Sequence, residues 1–380
     1  MSENALALYS NQQTVFGRGS IERLTPMLAE RPQPTLLFCA RSFLNGPTWA
    51  RLENALREQI LGYEIVSHEA SPDEIDAWVQ RWRGQVDRVV AIGGGSVLDA
   101  AKAFAAMVRH PLNTARYLEK VGDTAVDAVT LPLIAIPTTA GTGSEATQNA
   151  VLTDPHHIKV KASLRHPAFV PQIALLDPDL LKGAPDRVLA TCAIDAFTHL
   201  FEAYLSRQGN LFSQQTALNG LRLFCKAWPH LNHPGALGDE AREAMMMASW
   251  LGGVCLSSAG LGVIHGIAGE LGAIKAFHHG EVCGRLLFPF LDVLARTTHP
   301  AQQRLMAELG QQLLPDEVAP ALALKAWLQQ HAIVPFWREG PSLSPAEVEW
   351  IVARANSKNG WVHYDTATMT DMIAAAWRIA

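Results

Sequence analysis

The sequence predicts two domains: an N-terminal α/β domain with a parallel sheet (residues 1–183) and an all-α C-terminal domain (residues 184–380). From about residue 34 to residue 177, short apolar runs alternate with amphipathic stretches, which is typical of a parallel sheet covered by helices on both faces. After Pro185, long segments carry apolar residues at helical spacing and few β-branched runs. The turn residues Gly183-Ala184-Pro185 place the boundary near residue 183.

The individual elements follow from the same periodicities. Predicted strands are short aliphatic runs, and predicted helices have apolar residues three or four positions apart. The segment 14–19 can form an edge hairpin. We predict strands at 35–39, 63–66, 88–92, 132–136 and 173–176, helices at 47–60, 72–83 and 96–109, and in the second domain helices at 186–206, 211–227, 239–258, 262–275 and 317–331.

Composition and charge exclude several classes of function. The 380 residues are 48% hydrophobic, and the formal charge of -5, from 31 basic and 36 acidic residues, leaves no basic stripe for a nucleic acid. Five scattered cysteines without a C-x-x-C pair indicate neither a disulfide framework nor a thiolate zinc site. Without a basic, apolar leader or about 18 uninterrupted apolar residues, we expect a cytoplasmic protein with no membrane partner.

A glycine-rich turn follows the predicted strand RVVAI. Gly93-Gly94-Gly95-Ser96 leads directly into a predicted helix. Glycines let backbone N–H groups approach an anion, and the start of the helix adds the positive end of its dipole. The turn therefore indicates a phosphate site, although it is not the G-x-G-x-x-G fingerprint. A tight strand-to-helix turn without a ligand is the alternative.

A second polar turn, Pro137-Thr138-Thr139-Ala140-Gly141-Thr142-Gly143-Ser144-Glu145, follows the strand PLIAI. It carries four hydroxyl groups and two glycines. Both turns follow strands of a parallel sheet, so they lie at its carboxyl edge, where open α/β sheets bind ligands. Together they favour nucleotide binding over the alternative of a polar surface loop.

One carboxylate and three imidazoles in the second half form a candidate metal site. Asp195 and His199 are four residues apart and face the same side of a predicted helix. Their flanking residues are apolar, so this face is interior, where an unpaired carboxylate is costly. With His265 and His279 they form a donor set suited to Fe(II) or Zn(II). The alternatives are a hydrogen-bonded core histidine at 265 and an exposed turn residue at 279.

Four ordered motifs carry a family resemblance: GGGSVLDAAK (93–102), PTTAGTGSEAT (137–147), DAFTHLFEAY (195–204) and HGIAGELGAIKAFHHG (265–280). They resemble the signatures of the iron-containing (group III) alcohol dehydrogenases, a likeness that covers roughly residues 15–290. The resemblance implies a dinucleotide-binding domain, a helical domain and an active site in the cleft between them. It also implies metal-dependent hydride transfer between NAD or NADP and a small alcohol, aldehyde or ketone. We expect a homodimer.

The resemblance assigns roles residue by residue. The metal ligands are Asp195, His199, His265 and His279, of which His265 and His279 are also expected to be catalytic. His278 is a further catalytic candidate that the resemblance does not supply, as a proton relay. The cofactor-binding residues are Gly94, Gly95 and Ser96 at the pyrophosphate, Asp99, Thr138, Thr139, Thr142 and Ser144 along the cofactor cleft, and Lys161 at the ribose.

Three positions depart from the family pattern. Gly269 replaces the second histidine of the H-G-x-x-H pattern, so the proton travels through water, a cofactor ribose hydroxyl or His278. Arg41 follows the strand where an aspartate favours NAD, and an arginine there can accept the 2′-phosphate of NADP. The segment 359–366 lacks the expected asparagine-proline pattern.

Two alternative functions remain at this point. A lyase of the dehydroquinate-synthase type shares the two-domain plan and uses NAD and metal without net redox. Its phosphorylated substrate calls for more basic residues than Lys161, Arg165 and Lys275. A non-catalytic nucleotide-binding protein is the third possibility, and the complete ligand set argues against it.

Overall fold

The computed structural model describes residues 8–154, 160–275, 277–336, 342–377 and 379. The chain divides into two compact units, one spanning Tyr9–Lys182 and the other containing Gly183–Ala380. This division falls one residue from the predicted boundary.

The first unit contains a six-stranded parallel sheet in the order β1-β8-β5-β4-β2-β3, together with a two-stranded antiparallel ribbon, β6-β7, among the described residues. The strands are β1 (Gln13–Phe16), β2 (Thr35–Cys39), β3 (Gly62–Ile65), β4 (Arg88–Gly93), β5 (Leu133–Pro137), β6 (Asn149–Asp154), β7 (Val160–Arg165) and β8 (Ile173–Leu176). The helices are α1 (Leu24–Glu30), α2 (Arg41–Leu44), α3 (Pro47–Arg57), α4 (Pro72–Trp82) and α5 (Gly95–Met107).

The central strands are buried on both faces of the sheet. In β2, Leu36 and Phe38 join one apolar cluster, whereas Leu37 and Cys39 join the other. Successive side chains of a strand point to opposite faces, so two clusters mean that both faces are covered. This explains why the central strands are continuous apolar runs in the sequence.

The strand register brings the ends of three strands to one edge of the sheet. Cys39 of β2 pairs with Ile92 of β4, and Gly93 of β4 pairs with Pro137 of β5. The strand order reverses between β2 and β4, since β3 lies outside β2 while β5 and β8 follow on the other side of β4. Ligands of open α/β sheets bind at such a reversal. The fold therefore gathers the residues that follow β2, β4 and β5.

The hairpin predicted at 14–19 is wrong. β1 is an edge strand that pairs in parallel with β8, starting with Gln13 opposite Ile173. Gly17 and Gly19 have positive φ angles and turn the chain into a short 3-10 helix at Ser20–Arg23 instead of a return strand. The partner of β1 lies far along the chain, so local sequence did not identify it. The β6-β7 ribbon was also not predicted.

The second unit is helical in its regular elements, apart from one isolated bridge between Leu343 and Ile379. Its helices are α6 (Asp186–Tyr204), α7 (Leu211–Ala227), α8 (Gly235–Ala259), α9 (Val263–Ile274), α10 (His279–Ala295), α11 (Pro300–Leu313), α12 (Pro320–Gln330), α13 (Pro345–Val352) and α14 (Thr366–Ala376). The core helix α6 packs against α7, α8 and α10 and is buried from Leu189 to Tyr204.

Within the described ranges, no single helix is both long enough and apolar enough to span a membrane. By length and composition alone, α8 and α9 pass that test as a pair, with a bend of 97° between them.

Candidate active site

Asp195 and His199 lie one turn apart on α6, and both are buried. The start of α10 comes very close to this helix, because a Cβ atom at Gly280 would lie only 2.1 Å from the carbonyl oxygen of Thr191. Glycine is therefore required there, and this approach places His279, the first residue of α10, beside Asp195. The helix α9 supplies His265 from its first turn.

The four predicted ligands converge around one oxygen atom. Oδ1 of Asp195 lies 3.9 Å from Nε2 of His199, 3.7 Å from Nε2 of His265 and 3.8 Å from Nε2 of His279. The rings of His199 and His265 are stacked, with centroids 4.6 Å apart. The structure thus brings together residues from three helices in the arrangement that a shared cation requires.

One oxygen of the carboxylate at the centre of this cluster is buried without a hydrogen bond among the described residues. The Asp195 side chain is 3% exposed, and its Oδ1 has no hydrogen-bond partner among the described residues. Burial raises the pKa of Asp195, but the charges of His199, His279 and His265 outweigh it, so the pKa lies below its ordinary value and the group is ionised. A buried carboxylate oxygen without a hydrogen bond is costly unless a cation compensates it. The donor set and this orphaned oxygen both fit a divalent metal ion.

A carboxylate behind the cluster fixes His265. Oε2 of Glu202 accepts a hydrogen bond from Nδ1 of His265 at 2.7 Å, and Oε1 accepts one from the backbone N–H of Ile264 at 2.7 Å. With the proton at Nδ1, the lone pair of Nε2 faces Asp195. Metal-binding histidines are usually oriented in this way. The role of Glu202 was not predicted, although this residue lies seven residues after Asp195, two turns along the same helical face.

A thiol also borders the cluster. Sγ of the buried Cys283 lies 3.6 Å from Nε2 of His265 and 3.7 Å from Nε2 of His279. Burial raises the pKa of the Cys283 thiol to about 11. No role was predicted for this cysteine from the sequence. Its position four residues after His279 would have been informative had the helix at 279–295 been predicted.

In the first unit, the two polar turns pack against each other. A Cβ atom at Gly95 would lie 2.6 Å from a side-chain carbon of Thr142, and one at Gly94 would lie 3.3 Å from the hydroxyl of Thr139. The N–H of Thr138 donates to the carbonyl oxygen of Gly93 at 2.9 Å. Gly94 and Gly95 therefore permit a close approach that larger residues would block, and the predicted turns form one wall.

A buried lysine on α5 bonds that helix to the end of the second turn. Nζ of Lys102, in a side chain that is 1% exposed, donates to the carbonyl oxygen of Ser144 at 2.8 Å, to the hydroxyl of Thr147 at 2.9 Å and to the carbonyl oxygen of Asn149 at 2.7 Å. Burial lowers the pKa of Lys102 to about 8. This residue lies in the GGGSVLDAAK motif, but no role was predicted for it.

Asp99 and Ser144, both predicted along the cofactor cleft, are bonded to each other. The Ser144 hydroxyl donates to Oδ1 of Asp99, and Oδ2 of Asp99 accepts from the N–H of Val151 at 3.2 Å. These contacts fix the end of the second turn from inside. Ser96 at the start of α5 and Thr138, Thr139 and Thr142 of the second turn are half-buried.

Comparison with known proteins identifies the family. The family model described as iron-containing alcohol dehydrogenase matches residues 11–178, and the model for the C-terminal part of the Fe-containing alcohol dehydrogenase family matches residues 189–330. This chain belongs to the iron-containing alcohol dehydrogenases.

The dehydrogenase has curated relatives and solved structures of similar length. It is 37% identical over 280 residues to the probable alcohol dehydrogenase EutG of Escherichia coli, which covers 72% of this chain and 69% of the relative. It is 30% identical over 293 residues to the NAD-dependent methanol dehydrogenase of Bacillus methanolicus, covering 75% of each. The iron-containing alcohol dehydrogenase of Thermotoga maritima superposes with a TM-score of 0.80 at 25% identity, covering 98% of this chain and 99% of that one.

These matches confirm the family resemblance, the fold class and the expectation of an alcohol dehydrogenase or aldehyde reductase. They support an oxidoreductase rather than the lyase alternative. The individual site residues remain predictions, which the geometry above supports to different degrees.

Two predicted cofactor residues of the dehydrogenase lie in contrasting surroundings. Nζ of Lys161 pairs with Oε1 of Glu69 at 2.5 Å, so this lysine is already engaged. Arg41 is exposed at the first position of α2, immediately beyond the edge where β2 ends. Its guanidinium has no hydrogen bond or ion pair within the described part of the chain.

The two relay positions of the dehydrogenase also differ. His278 is exposed and precedes α10, and its catalytic role remains a prediction. Gly269 lies one turn after His265 on α9, and a Cβ atom there would meet no heavy atom within 4 Å. Packing around a Cβ atom therefore does not require glycine at this position.

Proposed function

We propose that the dehydrogenase interconverts a small alcohol and its aldehyde or ketone, using a nicotinamide cofactor and a divalent ion held by Asp195, His199, His265 and His279. The single observation that carries this proposal is the buried Oδ1 of Asp195, which faces three imidazole nitrogens at 3.7–3.9 Å. The methanol, lactaldehyde and 1,3-propanediol enzymes among the relatives support small oxygenated substrates.

The residues of the chain prepare the site for this reaction. When bound, the ion polarises the substrate oxygen as a Lewis acid and the nicotinamide carries the hydride. Asp195 supplies the negative charge that offsets the cation, and Glu202 keeps the Nε2 lone pair of His265 directed at it. The N–H groups at Gly95 and Ser96, at the start of α5, bind the pyrophosphate. Position 269 has no side chain, so water, a ribose hydroxyl or His278 transfers the proton.

The function is tested by metal reconstitution of the apoprotein. We expect reduction of short aldehydes, followed by the loss of reduced-nicotinamide absorbance, after addition of Fe(II) or Zn(II) and no turnover with chelator present. Short alcohols should be oxidised by the same preparation. Equal turnover with and without metal would contradict the proposed centre, and no turnover of any aldehyde, ketone or alcohol in the panel would contradict the proposed reaction.

We further propose that Arg41 lets the enzyme accept NADPH. The residue lies beside the strand-order reversal, at the position where the adenosine ribose of a dinucleotide is recognised. We expect NADPH to be at least as efficient as NADH in the unaltered enzyme. Arg41→Gln should lower kcat/KM with NADPH by roughly tenfold to a hundredfold, because a hydrogen bond to a charged group contributes about 1.5–3 kcal/mol.

The matched control is Arg51→Gln, an exposed arginine on α3 that pairs with Glu22. It should change neither cofactor preference nor turnover. A strong preference of the unaltered enzyme for NADH, or an equal loss with both cofactors in Arg41→Gln, would refute the role of Arg41.

A further inference from the structure

Cys283 faces the candidate metal centre as closely as the predicted ligands do. It lies on α10 one turn after His279, and its Sγ is 3.6 Å from Nε2 of His265 and 3.7 Å from Nε2 of His279. One donor atom each from Asp195, His265, His279 and Cys283 lie within 4.8 Å of one another. The sulfur therefore belongs to the same cluster as the carboxylate oxygen and the imidazole nitrogens.

These separations match two donors that share one ion. Zinc binds sulfur at about 2.3 Å and nitrogen at about 2.0–2.1 Å, so a tetrahedral angle separates the two donors by roughly 3.5 Å. Hydrogen bonding explains the cluster less completely. A thiol has one proton and can donate to only one of the two imidazoles, and it does nothing for the buried Oδ1 of Asp195, which has no partner among the described residues. A shared cation satisfies all of these atoms at once.

We propose that Sγ of Cys283 is a further donor to the ion held by Asp195 and the three histidines. A sulfur donor favours Zn(II) over Fe(II), because thiolates are soft ligands and zinc accepts mixed nitrogen and sulfur coordination. This inference rests on the metal centre of the proposed function. The sulfur donor indicates that this site prefers Zn(II).

Cobalt substitution tests the proposal without reference to activity. Co(II) added to the apoprotein should give an intense near-ultraviolet thiolate-to-metal absorption band, and Cys283→Ser should bind Co(II) but lose that band. Cys255→Ser is the matched control, since Cys255 is another buried thiol with a raised pKa, and its Sγ contacts the carbonyl oxygen of Ser213 instead of an imidazole. The control should keep the band.

Chelator competition gives a second measurement. Loss of an outer-shell partner typically weakens metal binding by roughly 10–100-fold, so Cys283→Ser should weaken Zn(II) binding by at least that factor and weaken Fe(II) binding less. Co(II) binding without a thiolate band, or a band retained in Cys283→Ser, overturns the role of Cys283 alone. Failure of the unaltered protein to bind Co(II), Zn(II) or Fe(II) at all would overturn the metal centre as well.

Discussion

Asp195→Asn should abolish metal binding and turnover. The substitution preserves shape but removes the negative charge that faces three imidazole nitrogens, so a divalent ion loses its only anionic oxygen ligand in the proposed set. Lewis-acid stabilisation contributes several kcal/mol, and each 1.4 kcal/mol is a factor of ten. We therefore expect kcat/KM to fall by about a thousandfold or more, with metal content measured on the same sample. His265→Ala and His279→Ala should also lose metal and turnover.

A stability measurement separates metal loss from unfolding. A ligand that binds only the native state stabilises it, by about 4 kcal/mol at a thousandfold excess over Kd. Metal should therefore raise the Tm of the unaltered protein and leave that of Asp195→Asn unchanged. Asp186→Asn, on the exposed first residue of the same helix, should retain metal, activity and the Tm response. Full activity of a metal-free Asp195→Asn protein would rule out the proposed centre.

Glu202→Gln should weaken metal binding by roughly 10–100-fold, the usual cost of losing the partner that orients a ligand histidine. The amide oxygen can still accept from the N–H of Ile264, so the start of α9 is retained. The amide nitrogen, however, faces Nδ1 of His265 and donates instead of accepting. This favours the tautomer whose proton lies on Nε2, where the lone pair is needed.

The measurement is the rate at which the ion passes to a chelator, together with turnover at saturating metal. We expect faster release from Glu202→Gln and partial recovery of kcat when metal is in excess. Glu64→Gln removes another buried carboxylate, one that accepts from Arg81 and Trp82 in the first unit, and should lower Tm without changing metal release. Unchanged release from Glu202→Gln would leave this carboxylate with only a structural role.

The first unit was largely predictable because its signals are local. The strand at 35–39 was predicted with its observed bounds, since a buried parallel strand is a continuous apolar run between turn residues. The edge strand β1 was not, because its partner β8 lies far along the chain. The prediction of the helices after residue 279 was also incomplete. Helix α10 is buried on most sides and contains Pro289, and both features obscured its helical pattern.

The metal ligands of the candidate site were predictable because aspartate and histidine at these spacings are typical of metal sites. A buried aspartate four residues before a histidine, with two further histidines in recognisable motifs, led to the cluster that the structure contains. Glu202 and Cys283 were missed because a glutamate and a cysteine are common in helices and acquire meaning only beside His265. Lys102 was missed for the same reason, since its four acceptors come from a loop more than forty residues away.

Because the donors come from α6, α9 and α10, these helices must pack together before the chain can bind a metal ion. In the unfolded chain a long segment separates Asp195 and His199 from His265 and His279, so the four proposed ligands offer an ion no preformed cage. Only after α10 has docked on α6, with Gly280 against the Thr191 carbonyl, do the donors come within reach of each other. Loading with metal is accordingly a late step in a nearly finished protein, and the ions that the cell supplies at that moment compete for donors that are already in place.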